Sequence, residues 1–251
     1  MKPDQFRERL LRGDLLIGTV VTLPCPEVAE LLSQVGFDWL WIDTEHGPLD
    51  TLEAQRHLQA AAERAAAVIR VPWADDVWIK KALDTGANGV IVPQVNTAER
   101  ARRIVAACKY PPEGTRGVGA GRAHGYGLGF QAYVDSANQK TAVIVQAEHI
   151  EAVDNIEDIV KVQGIDAILV GPYDLSASMG KIGQVQDRKV QQAIEKVRRA
   201  CLAAGVRLGM FGDNPAALKP WLDRGFSLIA VGTDTMHLIS ATKAALGALS
   251  A

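Results

Sequence analysis

The sequence predicts a (β/α)8 barrel. Short β-branched apolar runs and amphipathic stretches alternate eight times in 251 residues, the usual size of such a barrel. Glycines at 36, 86, 164, 205 and 225 each close a helical stretch just ahead of an apolar run, where a left-handed helix cap belongs. The first strand-to-helix turn also lacks the glycine-rich phosphate loop of an open doubly wound sheet, the runner-up architecture. One domain covering residues 1–251 is expected, with no linker or low-complexity stretch inside it.

Taken in order, an amphipathic helix over residues 4–12 precedes a first strand over 15–22. Its helix opens at Pro26, a favoured first-turn residue, and stops at Gly36. The second strand, Trp39–Asp43, runs into Thr44, Glu45, His46, Gly47 and Pro48, followed by a helix over 52–65. The third unit pairs a strand over 67–71 with a helix over 75–84, and the fourth a strand over 89–93 with the helix Ala98–Cys108. Residues 111–133 break the rhythm with an extended glycine-rich loop. A loop of that length inside a compact domain usually serves binding, and its spacing fits no dinucleotide or P-loop motif. The fifth and sixth strands, over 143–149 and 168–174, each end at a carboxylate, and a helical stretch over 151–164 makes them parallel neighbours. Strands over 206–211 and 226–231 complete the set, with helices over 215–224 and from 236 onward.

Composition narrows the function. Lys and Arg total 27 against 29 Asp and Glu, with no basic block, so neither nucleic acid nor an anionic membrane is an expected partner. No apolar run approaches the ~20 residues of a membrane span, and the charged start lacks a secretory core. Cys25, Cys108 and Cys201 have no metal-ligand spacing and read as free thiols of a cytoplasmic protein.

Barrel chemistry sits at the carboxyl ends of the strands, which collects Asp43, Glu45, His46, Arg70, Gln94, Gln146, Glu148 and Asp174 at one mouth. Parallel strands lie ~4.8 Å apart, so Glu148 and Asp174 should finish side by side. Two anionic carboxylates repel unless a proton or cation lies between them, and a hard divalent ion suits an all-oxygen site. The competing reading has one carboxylate capping a helix and the other paired with an Arg. Gln146 shares a strand face with Glu148. The open coordination positions suit a 2-oxo acid, whose enolate oxygen Arg70 would face, unless Arg70 merely pairs with Glu45 or Glu148. His46, beside Asp43 and Glu45, is the best acid–base candidate. The turn through Gly171, Pro172, Tyr173 and Asp174 can point amides at a substrate carboxylate. No Lys falls at a carboxyl strand end, which disfavours a Schiff base.

Asp43-Thr44-Glu45-His46, Ile69-Arg70-Val71-Pro72, Leu83-Asp84-Thr85-Gly86-Ala87, Val145-Gln146-Ala147-Glu148 and Gly171-Pro172-Tyr173-Asp174-Leu175-Ser176 together resemble the HpcH/HpaI aldolases, metal-dependent class II pyruvate aldolases on a (β/α)8 barrel. The Tyr110-Pro111-Pro112-Glu113-Gly114-Thr115-Arg116-Gly117 run strengthens the likeness, which covers nearly the whole chain in order. The resemblance implies that Glu148 and Asp174 ligate a divalent ion (Mg²⁺, Mn²⁺ or Co²⁺), Arg70 steadies the pyruvate enolate, and His46 is catalytic. It pairs His46 with Asp84. Because Asp84 ends a helix, at the bottom of its own barrel, that pairing implies a site shared between subunits. Relatives are hexamers that exchange their last helix. Arg122, His124, Tyr126 and Phe211 would meet the aldehyde. One departure is the pair Thr19-Val20 after Gly18, where the family often has an aromatic.

The expected activity is therefore reversible cleavage of a 4-hydroxy-2-oxo acid into pyruvate and an aldehyde, with His46 and either Asp43 or Asp84 moving the 4-hydroxyl proton. Two rivals are a synthase joining the same enolate to another acceptor, as in citrate- or macrophomate-forming relatives, and a non-catalytic 2-oxo-acid binding protein.

Overall fold

The structure, a computed structural model, describes residues 2–250. Its eight strands are β1 (Leu16–Val21), β2 (Trp39–Asp43), β3 (Ala66–Arg70), β4 (Gly89–Val92), β5 (Ala142–Ala147), β6 (Ala167–Val170), β7 (Arg207–Gly212) and β8 (Phe226–Thr233). Each pairs in parallel with the next, and β8 closes on β1, giving the expected closed barrel.

Alternation along the strands sorts side chains into two cores. Leu16, Val20, Trp39, Trp41, Val68, Ile91, Ile144, Leu169 and Leu228 fill the barrel interior. Their alternate neighbours, such as Leu40, Ile42, Ile69, Val90, Val143 and Ile168, pack outward under the helices. The helix α1 (Phe6–Arg12) closes the amino-terminal end by inserting Phe6 and Leu10 into the interior cluster. The Arg7 fork clamps Asp166 there, with Nε to Oδ2 at 2.9 Å and Nη2 to Oδ1 at 2.8 Å.

Most helices form where the pattern places them. They are α2 (Pro26–Val35), α3 (Thr51–Ala61), α4 (Asp76–Asp84) and α5 (Ala98–Cys108). Asp50 and Glu53 build a full capping box at the start of α3, and Asp75 caps α4 through the Val77 amide. The glycine-rich segment is more ordered than a bare loop. It holds a 3-10 turn over Arg122–Gly127 and then α6 (Phe130–Lys140), which the sequence reading passed over. The expected helical stretch over 151–164 is two short helices, α7 (Ile150–Asp154) and α8 (Ile156–Ile159), broken at Asn155, whose side-chain amide donates to the Asn96 carbonyl at 2.9 Å.

The remaining helices are α9 (Pro172–Ser178), α10 (Arg188–Ala204), α11 (Pro215–Leu222) and α12 (Asp234–Ser250). Only the beginning of α12 is anchored. Asp234 accepts from the Thr22 and Leu23 amides and the Thr22 hydroxyl at 2.8–2.9 Å, and His237 Nε2 meets Thr19 Oγ1 at 2.9 Å. Elsewhere on α12, Met236, Leu238, Ile239, Leu246 and Leu249 are exposed. No helix among the described residues is long and apolar enough to cross a membrane.

Candidate active site

A cavity of about 290 Å³ opens at the carboxyl ends of the strands. Val20, Thr22, Trp41, Asp43, His46, Arg70, Gln146 and Leu169 line it, together with Gly171, Pro172, Tyr173, Asp174, Phe211 and Thr233.

Its centre is an ion-pair clamp set by strand register. Asp43 and Arg70 are the last residues of β2 and β3 and are direct partners across that pair. Arg70 Nε donates to Asp43 Oδ1 at 2.8 Å and Nη2 to Oδ2 at 2.6 Å, while Nη1 lies 3.1 Å from Glu45 Oε2. Such fork-to-fork geometry fixes direction as well as distance. Below it the guanidinium carbon stands 4.8 Å from the centroid of the Trp41 ring, which itself stacks on Trp39. The reading of Arg70 as an ion pair is thus part of the answer, with Asp43 its main partner, and the paired guanidinium still borders the cavity.

Glu148 sits one residue past β5, buried, with both oxygens engaged. Oε1 accepts from the Gln94 amide at 2.9 Å and Oε2 from the Gln146 side chain at 2.7 Å. To deliver its amide, Gln94 adopts φ +55°, a left-handed conformation unusual for a side-chain-bearing residue. Ala147 pairs with Val170, so Gly171 is the residue next to Glu148. A Cβ at position 171 would stand 3.0 Å from Glu148 Cβ and 3.1 Å from its Oε2, a space only glycine leaves free. Asp174 is not a strand end, which corrects the sequence reading. Pro172 starts α9 there and carries Asp174 into its first turn, exposed where Glu148 is buried.

Burial first, then the negative charges of Glu45 and Asp174, push the Glu148 carboxyl up to about 7. Burial likewise drives Glu45 to about 7, against the pull of Arg70 and with the push of Asp43 and Asp174. Asp43, Glu45 and Glu148 thus crowd around the one guanidinium of Arg70.

His46 lines the cavity with its side chain 67% exposed, and its Nε2 is 3.9 Å from Glu45 Oε2. Neither carboxylate offered as its partner reaches it within this chain. The Asp43 oxygens are taken by Arg70 and by the Glu45 and His46 amides. Asp84 ends α4 at the other end of the barrel, where its Oδ1 accepts from Arg116 Nη2 at 2.9 Å. Arg122 lies there too, donating to the Thr85 carbonyl at 2.6 Å and lining a separate cavity with Pro3, Gly86 and Asn88. His124 is fully buried, bonded to Tyr110 Oη at 3.0 Å and stacked on Phe130. Arg122 and His124 thus stand away from the mouth cavity of their own subunit, and Tyr126 is exposed on the same loop. Phe211, from β7, is in the mouth cavity as expected.

Trp41 and the Gln94 backbone were not singled out from the sequence, whereas Glu45 as a partner of Arg70 was one of the two pairings it offered. The alternation of β2 does place Trp39, Trp41 and Asp43 on one face, and that signal could have found Trp41.

Comparisons with known proteins agree with this architecture. The family model described as HpcH/HpaI aldolase/citrate lyase matches residues 17–241. A 4-hydroxy-2-oxovalerate aldolase from Novosphingobium aromaticivorans is 39% identical over 234 residues, covering 92% of this chain and 89% of its own. A 4-hydroxy-2-oxo-heptane-1,7-dioate aldolase from Salmonella dublin is 41% identical over 241 residues, covering 95% of this chain and 92% of its own. A solved HpcH/HpaI aldolase/citrate lyase family protein from Burkholderia cenocepacia superposes with a TM-score of 0.95 at 35% identity, spanning 99% of this chain and 100% of that one. A barrel with this cavity, matched nearly end to end by aldolases, belongs to the HpcH/HpaI aldolase/citrate lyase family.

Proposed function

We propose that this aldolase-family enzyme reversibly cleaves a 4-hydroxy-2-oxo acid into pyruvate and an aldehyde through a pyruvate enolate. The observation that carries the reading is that one mouth cavity gathers a clamped guanidinium, a glutamine, an aspartate and an exposed imidazole, with a buried glutamate beside them.

Glu148 and Asp174 would hold a divalent ion, with Mg²⁺, Mn²⁺ and Co²⁺ all compatible with two carboxylates. The donor set fits: the atoms are oxygens, and the Glu148 carboxyl, raised to about 7, is relieved by positive charge beside it. Among the described residues no group of three or more His, Cys, Asp or Glu comes together as a metal cage. When bound, the ion supplies positive charge at the 2-oxo oxygen and so acidifies the adjacent C–H.

The remaining roles fall to side chains. Arg70, aimed by Asp43 and Glu45, places a second fixed charge at the enolate oxygen. Gln146 holds Glu148 in position through its amide. The turn at Gly171, Pro172 and Tyr173 lines the cavity beside Glu148, where the substrate carboxylate would sit. His46 takes the 4-hydroxyl proton during cleavage and returns it during condensation.

A homo-oligomer is part of this proposal, of hexameric order by the resemblance. What supports assembly is the exposed apolar length of α12 and the placement of Asp84 and Arg122 at the opposite end from His46. Free Cys25, Cys108 and Cys201 suit a reducing, cytoplasmic setting.

The test is pyruvate in D₂O, with and without a chelator. Methyl protons should exchange only with divalent ion present, and a hydroxy-oxo acid should release pyruvate under the same condition. Exchange that persists in chelator removes the metal, and borohydride trapping of an adduct would point to an imine. Exchange without cleavage of any hydroxy-oxo acid favours a synthase, and no exchange favours a binding protein.

The relatives' names diverge at the acceptor end. Retro-aldol cleavage of a hydroxyoxovalerate yields a neutral two-carbon aldehyde, and that of a hydroxyoxoheptanedioate a four-carbon aldehyde bearing a carboxylate.

A further inference from the structure

The Tyr110–Gly117 run carries one arginine, Arg116, and its side chain is 0% exposed. The run folds back so that the Arg116 amide donates to the Lys109 carbonyl at 2.9 Å. The guanidinium enters a box of two rings. Its carbon stands 4.5 Å from the Tyr110 centroid and 5.6 Å from that of Tyr133, and those rings meet edge to face at 81°. Nη1 donates to Tyr133 Oη at 3.2 Å and Nη2 to Asp84 Oδ1 at 2.9 Å. Nε, also buried, has no hydrogen-bond partner among the described residues.

Asp84 is the unequal half of this pair. Its side chain is 30% exposed, and among the described residues no hydrogen bond reaches its Oδ2. It is the last residue of α4, at the negative end of the helix dipole, where a carboxylate is disfavoured. The glycine-rich loop closes against it, since a Cβ at Gly121 would come within 3.1 Å of the Asp84 carbonyl oxygen.

As a stabilising device the pair is poorly made. The guanidinium gives up its hydration and leaves one N–H unpaired, and an apolar pair of similar volume commonly serves a fold as well or better. What the arrangement supplies is aim. One carboxylate oxygen is fixed by a donor packed between two rings, and the other is left free to accept. A carboxylate set in this way suits an imidazole N–H, whose tautomer and direction it fixes. Asp84 meets no such group in its own chain, because the His124 ring of the same cluster is bonded to Tyr110 Oη instead. His46, at the opposite rim, is exposed, and its ring makes no hydrogen bond among the described residues.

On the aldolase reading above, with a site shared between copies, we propose that Arg116 is a positioning residue for the proton transfer. It sets Asp84 so that the free oxygen accepts from the imidazole of His46 of the partner subunit. The ring then presents its other nitrogen to the 4-hydroxyl. It takes that proton as the bond between the pyruvate methyl carbon and the aldehyde carbon opens, and its positive charge stands against an ionised Asp84. The proton passes from oxygen to nitrogen and the bonding pair to the enolate, so no further reactant enters.

The experiment is a double-mutant cycle on the whole protein loaded with Mn²⁺. Pyruvate release is measured from 4-hydroxy-2-oxovalerate or 4-hydroxy-2-oxoheptanedioate, whichever is cleaved faster, with pyruvate methyl exchange in D₂O alongside. Arg116→Met fills the box without a charge. It should lower kcat for release about 100-fold, with KM and exchange changed by about threefold or less. Arg116→Lys restores a cation without the fork and should recover about tenfold of that loss. Asp84→Asn should match Arg116→Met. Joining the two should cost no more than about twofold beyond either alone, because the same interaction is lost only once. Should Arg116→Met fail to fold, Arg116→Lys with Asp84→Asn closes the same cycle. Losses that multiply in the double variant, or exchange that falls together with release, overturn the proposal and leave Arg116 a structural residue. A parent that cleaves neither acid defeats the aldolase reading itself, an outcome distinct from a cycle without coupling.

Discussion

Asp43 and Arg70 face each other across a parallel strand pair and meet as two forks, at 2.8 and 2.6 Å. Asp43 is thus a positioning residue for the guanidinium in this structure. Asp43→Asn keeps the shape and removes the charge, leaving Glu45 as the only anionic partner of Arg70 within 4 Å among the described residues. Pyruvate methyl exchange should fall about 10–100-fold, and Arg70→Lys, which loses the fork, by about 100-fold. The same Asp43 variant should melt several degrees lower, since a buried charge loses its counterion. An Asp43→Asn protein exchanging at the parental rate would hand the whole task of aiming Arg70 to Glu45.

The raised carboxyls give a pH dependence of defined sign. Glu148 and Glu45 titrate at about 7 when folded, against about 4.3 for a free glutamate. Between those values the folded chain holds protons that the unfolded chain has released. Stability of the metal-free protein is therefore full below about pH 4 from these groups and is lost as pH rises through about 7. Calorimetry of chelated protein should show a lower midpoint at about pH 8 than at about pH 5.5. Added Mn²⁺ should raise the midpoint strongly at the higher pH and little at the lower. A chelated protein whose midpoint climbs over that range would contradict the crowding of acids at the mouth.

Gly171 tests the seat of Glu148. In Gly171→Ala the new methyl would lie 3.0 Å from Glu148 Cβ, and the Glu148 side chain is buried and held at both oxygens, by the Gln94 amide and the Gln146 side chain. Apparent Mn²⁺ affinity, measured by titration calorimetry, should drop about 10–100-fold, the range seen when a ligand's supporting contacts are disturbed. Circular dichroism should be unchanged. Unaltered affinity would mean that the carboxylate does not need this approach.

His46 separates the two halves of the reaction. His46→Asn should slow hydroxy-oxo acid cleavage about 100-fold or more while reducing pyruvate methyl exchange much less, because the imidazole serves the 4-hydroxyl proton. Equal losses in both assays would place His46 on the enolate instead.

The barrel was legible because each strand carries its own periodicity and each helix its own stop. The positive φ angles of Gly36, Gly86, Gly164, Gly205 and Gly225 follow from local chemistry alone. The residues at the mouth were legible for the same reason, since carboxyl strand ends can be read from one element at a time. Partnership was not. That Arg70 would take Asp43 depends on register between β2 and β3. That Gln94 would twist to φ +55° to serve Glu148 depends on the space between β4 and β5. Arg122 could not be placed from the sequence, because a glycine-rich loop carries no periodicity to say which end of the barrel it will fold against. There it found the Thr85 carbonyl.

The distance between His46 at one rim and Asp84 at the other makes complementation possible. If neighbouring chains complete each other, a preparation lacking only the imidazole and another lacking only the helix-end carboxylate are each inactive for different reasons. Unfolded together and reassembled, some pockets in the hybrid particles would draw both intact groups, one from each parent. Activity would then reappear from two dead proteins, in proportion to the statistics of mixing.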